Sequence, residues 1–171
     1  FEHARRIAEA AHGPDSLSVA PALKNVAGAL RKAGKFEAAR PHYEHVLQVD
    51  QLHQGEKHPD VAQDYNNLGF VLLQLGASGE AKNCFLQALS IDEAHFGDEH
   101  YKVGIHKNNL AQIAREEGDL FASKEYFKEA GKIFDRAYGR KDERTQTVFR
   151  NLKRARTLLA KQDKSGPKVA D

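Results

Sequence analysis

The sequence predicts an all-α protein, a right-handed superhelical stack of antiparallel helix pairs. Three observations predict it. First, residues recur with a period of 42: Asn25, Asn67, Asn109 and Asn151 form one series, and Gly34, Gly76 and Gly118 another, continued at Ala160. Second, glycines at 13, 55, 97 and 139 form a further series, so each period contains two helix breakers. Third, apolar residues between breakers fall at helical spacing, as in Ala81, Phe85 and Ala88. One such hairpin cannot bury its apolar face alone, so units must stack on their neighbours.

Each element follows in order. Residues 1–13 read as the second helix of a truncated preceding unit, and complete units follow at about 16–57, 58–99 and 100–141. In the middle unit the first helix runs roughly from Val61 to Leu75, and Gly76 stops it as a left-handed C-cap. The second helix runs roughly from Gly79 to Ala94, and Gly97 with the polar DEH stretch closes the unit. Small residues at 69, 81 and 88 let the two helices approach, and Phe85 fills the space beside them. The aromatics Phe1, Tyr43, Phe85 and Phe127 keep the period, as do Ala27, Gly69 and Ala111, each preceded by an aliphatic residue. A last helix, about 143–162, takes the first-helix slot of a fourth unit and serves as a cap. The tail, 163–171, lacks periodicity and is expected to be disordered. The chain opens at Phe1 inside a helical pattern and contains no Met, so it is expected to be a piece of something longer.

Composition narrows the function classes. The formal charge of +2 is too small to mark a nucleic-acid binder, although residues 144–171 hold eight Lys/Arg against two acids. No apolar run approaches the roughly 20 residues of a membrane span. Cys84 is the only cysteine, so no disulfide forms within the chain, and a reducing, cytoplasmic compartment is the expectation. No nucleophile elbow, P-loop or zinc-protease pattern appears. The chain is therefore read as no enzyme, with no catalytic residue, cofactor or metal.

Two features invite chemistry and do not carry it. His53 and His95, like His58 and His100, are 42 residues apart in equivalent loops. Such loops lie some 20 Å apart by helix-packing distances, whereas ligands of one zinc come within about 4 Å of one another. Loop packing or helix capping is the reading for these histidines, and His42 with His45 would supply two ligands only. Cys84, beside the core aromatic, reads as a small buried hydrophobe.

The small, glycine, alanine, aromatic and alanine positions at 69, 76, 81, 85 and 88 resemble the tetratricopeptide repeat. The usual repeat is about 34 residues long, and the longer period here is similar to the kinesin light chain type. HPDVAQDYNNLGFVLLQLG (His58–Gly76), NCFLQALSIDEAHFG (Asn83–Gly97) and KFEAARPHYEHVL (Lys35–Leu47) carry that resemblance. Ser78, Leu120, Lys107 and Ser123 depart from the pattern, which makes the third unit its weakest match.

The resemblance implies that first helices line a concave groove. Lys24 and Asn25, Asn66 and Asn67, Asn108 and Asn109, and Arg150 and Asn151 would then face it. Phe70, Gln112 and Arg154 follow one turn on, then Arg31 and Arg115. Asparagine suits the N–H and C=O of an extended peptide, and the cations suit acidic side chains. The resemblance thus implies an adaptor that holds extended, acidic or Trp/Tyr-containing peptide motifs of cargo-like partner proteins, with no nucleic-acid partner. A full carboxylate clamp is not expected: Lys24 and Asn67 fit that layout, while Gly28, Ile105 and Asn109 do not. Two alternatives stay open. The asparagines could bond only within the stack, and the whole could be a structural or self-assembly module of a larger signalling or bacterial protein. Association with a motor or with other parts of the parent chain is implied by the resemblance alone.

Overall fold

The computed structural model describes residues 6–7, 10–11 and 13–165. Among them are a 3-10 turn at Leu17–Val19 and seven α-helices, with no strand. The helices are α1 (Ala20–Lys32), α2 (Phe36–Gln54), α3 (Pro59–Gln74), α4 (Ser78–Phe96), α5 (Tyr101–Glu116), α6 (Leu120–Tyr138) and α7 (Glu143–Ser165). Of the expected leading helix 1–13, most residues lie outside this description; residues 6–7 and 10–11 are helical. The expected tail is corrected at its start, since residues 163–165 continue α7, and the rest of it lies outside the described residues.

The helices stop where the glycine series sits. Gly13, Gly34, Gly55, Gly76, Gly97, Gly118 and Gly139 are the residues of positive φ among those described, between +72° and +86°. They recur every 21 residues, so one left-handed cap ends each helix of a pair. At the opposite ends, His58 and His100 cap α3 and α5: their Nδ1 atoms accept from the backbone N–H of Asp60 at 3.2 Å and Lys102 at 3.4 Å. The capping reading of His58 and His100 is what the structure shows, and it commits one ring nitrogen of each, Nδ1, to the backbone.

The chain divides into two compact units, Phe1–Ile91 and Asp92–Asp171. In the first, α1 packs on α2 and α2 on α3. Val19, Leu23 and Val46 form one buried cluster there. Gly69 of α3 meets Phe85 of α4 so closely that a Cβ would lie 3.0 Å from the ring. In the second unit α5 packs on α6 and α6 on α7. There a Cβ on Gly104 would stand 2.7 Å from Phe134, and one on Gly131 2.9 Å from Phe149. Departures from the repeat pattern are locally satisfied. Ser123, in place of alanine, donates its hydroxyl to the Ala111 carbonyl at 2.8 Å. Lys107 reaches Glu129 at 2.9 Å and Glu93 at 3.2 Å.

Polar groups are also buried between helices. In the first unit Lys24 (α1) lies 2.7 Å from Asp50 (α2) and 3.1 Å from Asp64 (α3), and both carboxyls are almost wholly buried. One cation faces two carboxyls, and Asp50 Oδ1 and both Asp64 oxygens find no conventional hydrogen-bond donor. A proton resolves the excess charge. Burial, and then the Asp50 carboxylate beside it, push the Asp64 carboxyl up to about 8. Asp50 is held below the usual carboxylate range: burial opposes this, but hydrogen bonds from Asp64 and Lys24 outweigh it. Lys24 is raised, because its two carboxylate partners outweigh its own burial. In the second unit the residues 42 positions on, Asp92 and His106, form a buried pair at 2.8 Å.

Two outcomes are expected. Gly104→Ala gains helix propensity but overpacks Phe134, and overpacking of about 1–3 kcal/mol outweighs a propensity gain of about 1 kcal/mol. Gly79→Ala meets no atom within 4 Å and stabilises, so urea midpoints of the two variants move in opposite directions. The second outcome concerns pH. Folded Asp64 keeps a proton that the unfolded chain releases, so stability falls as pH rises from about 4 towards 8, by at most about 1.4 kcal/mol per pH unit. Asp50 contributes stability above the ordinary carboxylate range that is lost in acid, and Lys24 stability that is lost only in strong base. The decline approaching pH 8 therefore belongs to Asp64, and urea midpoints of Asp64→Asn should no longer show it.

Candidate functional site

The residues expected to bind a peptide stand on the first helix of each pair. Lys24 and Asn25 are on α1, Asn66 and Asn67 on α3, Asn108 and Asn109 on α5, and Arg150 and Asn151 on α7. Within each unit they occupy the same turn of consecutive first helices. Asn25 and Arg150 are exposed, while the other asparagines are half-buried, so their own helices do not seal them away. Asn67 Oδ1 accepts from Gln63 at 3.4 Å, and Asn108 Nδ2 donates to Asn109 Oδ1 at 3.5 Å. Asn66 and Asn109 have further contacts of their own. Gln112 and Arg115 are half-buried on α5, and Arg154 is exposed on α7.

Several of these side chains are already engaged by the protein. Lys24, expected to receive a partner's carboxylate, is held by Asp50 and Asp64. The expectation of a basic face overlooked these two acids behind the first helix. Arg31 lies over the ring of Phe70, its guanidinium carbon 5.2 Å from the centroid, and Phe36 meets Phe70 edge-on at 6.4 Å. That cluster joins α1, α2 and α3, and the buried Arg31 Nε has no hydrogen-bond partner in it. Arg150 donates to the Thr147 hydroxyl at 2.8 Å.

Beside the asparagines lie two small surface pockets. One, of about 350 Å³ in the second unit, is lined by Asn108, Phe134, Glu143, Arg144, Thr147 and Val148. Another, of about 290 Å³ in the first unit, includes Lys24, Asp50 and Asp60 in its lining. These are repeat-equivalent slots: Lys24, Asp50 and Asp60 stand 84 positions before Asn108, Phe134 and Arg144. One fold position therefore holds an ion pair in one unit and an apolar wall in the other. Sequence reasoning missed Asp50, Asp64, Phe134 and Val148. The 42-residue register that revealed the asparagines also contains them, but at positions where residue type changes between units.

Other candidates do not assemble. Among the described residues no three His, Cys, Asp or Glu side chains gather where a metal ion could sit. His45 and His53 instead meet the side chain and the backbone carbonyl of Asp15, at 3.1 and 2.7 Å. Cys84 is buried, and its burial raises the thiol to about 11, far from a thiolate at neutral pH. No helix among the described residues is long and apolar enough to cross a membrane.

Comparison with known proteins agrees with this geometry. The tetratricopeptide repeat family model matches residues 1–52 and 22–94. No curated protein matches. Among solved structures, a putative kinesin light chain from Podosopora anserina with nearly identical TPR-like repeats aligns at TM-score 0.79 and 16% identity, over 95% of this chain and 77% of that one. A second crystal structure of those repeats aligns at 0.78, with the same identity and coverage. BtubC (BKLC) from P. vanneervenii aligns at 0.63 and 18% identity, over 92% of this chain and 69% of that one. At such identities the likeness concerns fold, and the fold is the all-α one of paired helices. With the family model spanning more than half of its residues, the chain belongs to the tetratricopeptide repeat family.

Proposed function

We propose that the chain is a cytoplasmic interaction scaffold that holds an extended peptide segment of a cargo-like partner protein along its first helices. Its working units are 16–57, 58–99 and 100–141, with α7 as the cap. The observation that carries the reading is the pocket beside Asn108 and Asn109. Phe134 and Val148 give it an apolar wall, Glu143 and Arg144 a charged rim, and the neighbouring asparagines offer backbone-pairing amides. A volume of about 350 Å³ is enough for one large side chain.

The preferred segment is acidic and carries one aromatic residue. The aromatic side chain enters the apolar slot, and the flanking carboxylates meet Arg150 and Arg154, since Arg144 is already paired with Asp142. Lys24 contributes less than its position suggests, because its charge is already matched by Asp50 and Asp64. The rim cations are exposed, so binding is moderate and weakens with salt.

The test is fluorescence anisotropy with a labelled synthetic peptide of one tryptophan flanked by aspartates and glutamates. The Asn67→Ala/Asn109→Ala double variant should lose about tenfold in affinity, the typical result of truncating central interface contacts. Its melting temperature should stay close to that of the parent chain. Undiminished peptide binding by a normally folded double variant removes the first-helix groove from the account.

A further inference from the structure

α7 sits in the position of a first helix, yet the face it would turn towards a second helix has changed character. On α5 that face is Gly104, Ala111 and Ala114, all buried. Gly104 meets Phe134, and the Ala111 carbonyl receives the Ser123 hydroxyl, so these are the residues against which α6 seats. On α3 the same offsets hold Ala62, Gly69 and Leu72, likewise buried. Forty-two residues on from the α5 set stand Gln146, Lys153 and Arg156, and all three are exposed. Small side chains that admit a helix have given way to an amide and two long cations.

The opposite side of α7 is packed in the ordinary way. Thr145, Val148, Leu152 and Ala155 are buried, and Phe149 lies against Gly131 of α6. The helix is thus docked on one face and cationic on the other. Arg140, Phe149, Arg150 and Lys153 line an open pocket of about 430 Å³ beside that second face. Arg140 is stacked 3.9 Å from the centre of the Phe149 ring and pairs with Asp135 at 3.0 Å. Lys153 and Arg156 have no carboxylate partner among the described residues, whereas Arg140 and Arg144 each have one.

We propose that this face of α7 is a docking surface separate from the first-helix groove, and that it takes an acidic segment of a partner protein. Lys153 and Arg156 are three residues apart, so the face presents two cations about 4.5 Å apart along the helix axis. Carboxylates on an extended or helical acidic segment can meet such a row in succession. Charge complementarity identifies the occupant: the row is cationic, unneutralised at Lys153 and Arg156, and too crowded by long side chains to seat a second helix of the kind found on α5. A polynucleotide fits less well, because Arg140 already covers one face of the aromatic ring at this surface and the ring also packs against Gly131.

The experiment titrates the whole chain into a fluorescein-labelled oligo-glutamate peptide at low salt and follows anisotropy. The expected result is binding that weakens with added salt and falls about fivefold in Lys153→Ala/Arg156→Ala. The same binding should be unchanged in the groove variant Asn67→Ala/Asn109→Ala, and largely kept in the charge-preserving Lys153→Arg/Arg156→Lys. Circular dichroism melting confirms that each variant is folded. No binding of the glutamate peptide overturns the proposal, as does equal binding by the folded alanine variant. It is also overturned if a single-stranded oligonucleotide of matching charge binds more tightly and suffers the same loss.

Discussion

The constraint on which the rest of the structure depends is how closely two helices of a pair can approach. A tetratricopeptide hairpin buries its apolar face only if one helix supplies a small residue where the other presents a bulky one. Gly69 against Phe85 meets that requirement in the first unit. Gly104 against Phe134 meets it in the second, at a different position of the repeat. The residues equivalent to Gly104 are Ala20 and Ala62, and those equivalent to Phe134 are Asp50 and Asp92. Where the repeat carries aspartate at the second position it carries alanine at the first; where it carries phenylalanine, only glycine leaves room. Two substitutions 30 residues apart in sequence are one packing event in space.

That coupling explains how the array varies its chemistry without altering its backbone. The slot formed by positions 50 and 64 holds two aspartates and borrows Lys24. At 92 and 106 it holds a buried aspartate and histidine. At 134 and 148 it holds phenylalanine and valine, beside an open pocket. Buried charge is costly unless matched, so the first slot must recruit a cation and keep a proton. The third has no such debt and can leave its apolar wall to a guest. A partner therefore meets a surface whose register is regular and whose chemistry is not.

Most of the fold was legible in the sequence because it rests on residues with backbone consequences. Seven glycines at 21-residue intervals, each now seen at positive φ, fixed where helices stop, and the histidines before Pro59 and Tyr101 fixed where two of them start. The candidate site was legible only in part. Repetition exposed the asparagine series, but it concealed what does not repeat. Lys24 looked available until Asp50 and Asp64, one and two helices away in the chain, were found around it. Arg31 and Phe70 were both read as contacts for a partner, whereas the structure stacks them on each other. Such pairings come from tertiary contacts between residues 14 to 40 positions apart, which a period of 42 does not report. The tail was misjudged at its start for a simpler reason: Asp163, Lys164 and Ser165 carry no apolar periodicity, yet they continue an already established helix, where propagation costs little.

The C-terminal helix shows what happens when repetition is relaxed on one face only. Thr145, Val148, Leu152 and Ala155 keep the burial of Val103, His106, Leu110 and Ile113, so α7 docks on α6 as α5's pattern requires. The face at 146, 153 and 156 has lost the small residues that bring a second helix near. A helix in this position needs some means of keeping its uncovered side soluble, and uncharged polar residues would be enough for that. At positions 153 and 156 the face carries cations that have no acidic partner among the described residues, which goes further than solubility demands. Mixed charge would have served a plain cap better, since opposite charges at helical spacing stabilise the helix that carries them. An unmatched row of one sign forgoes that benefit, and it is best accounted for if the opposite charge arrives on another molecule.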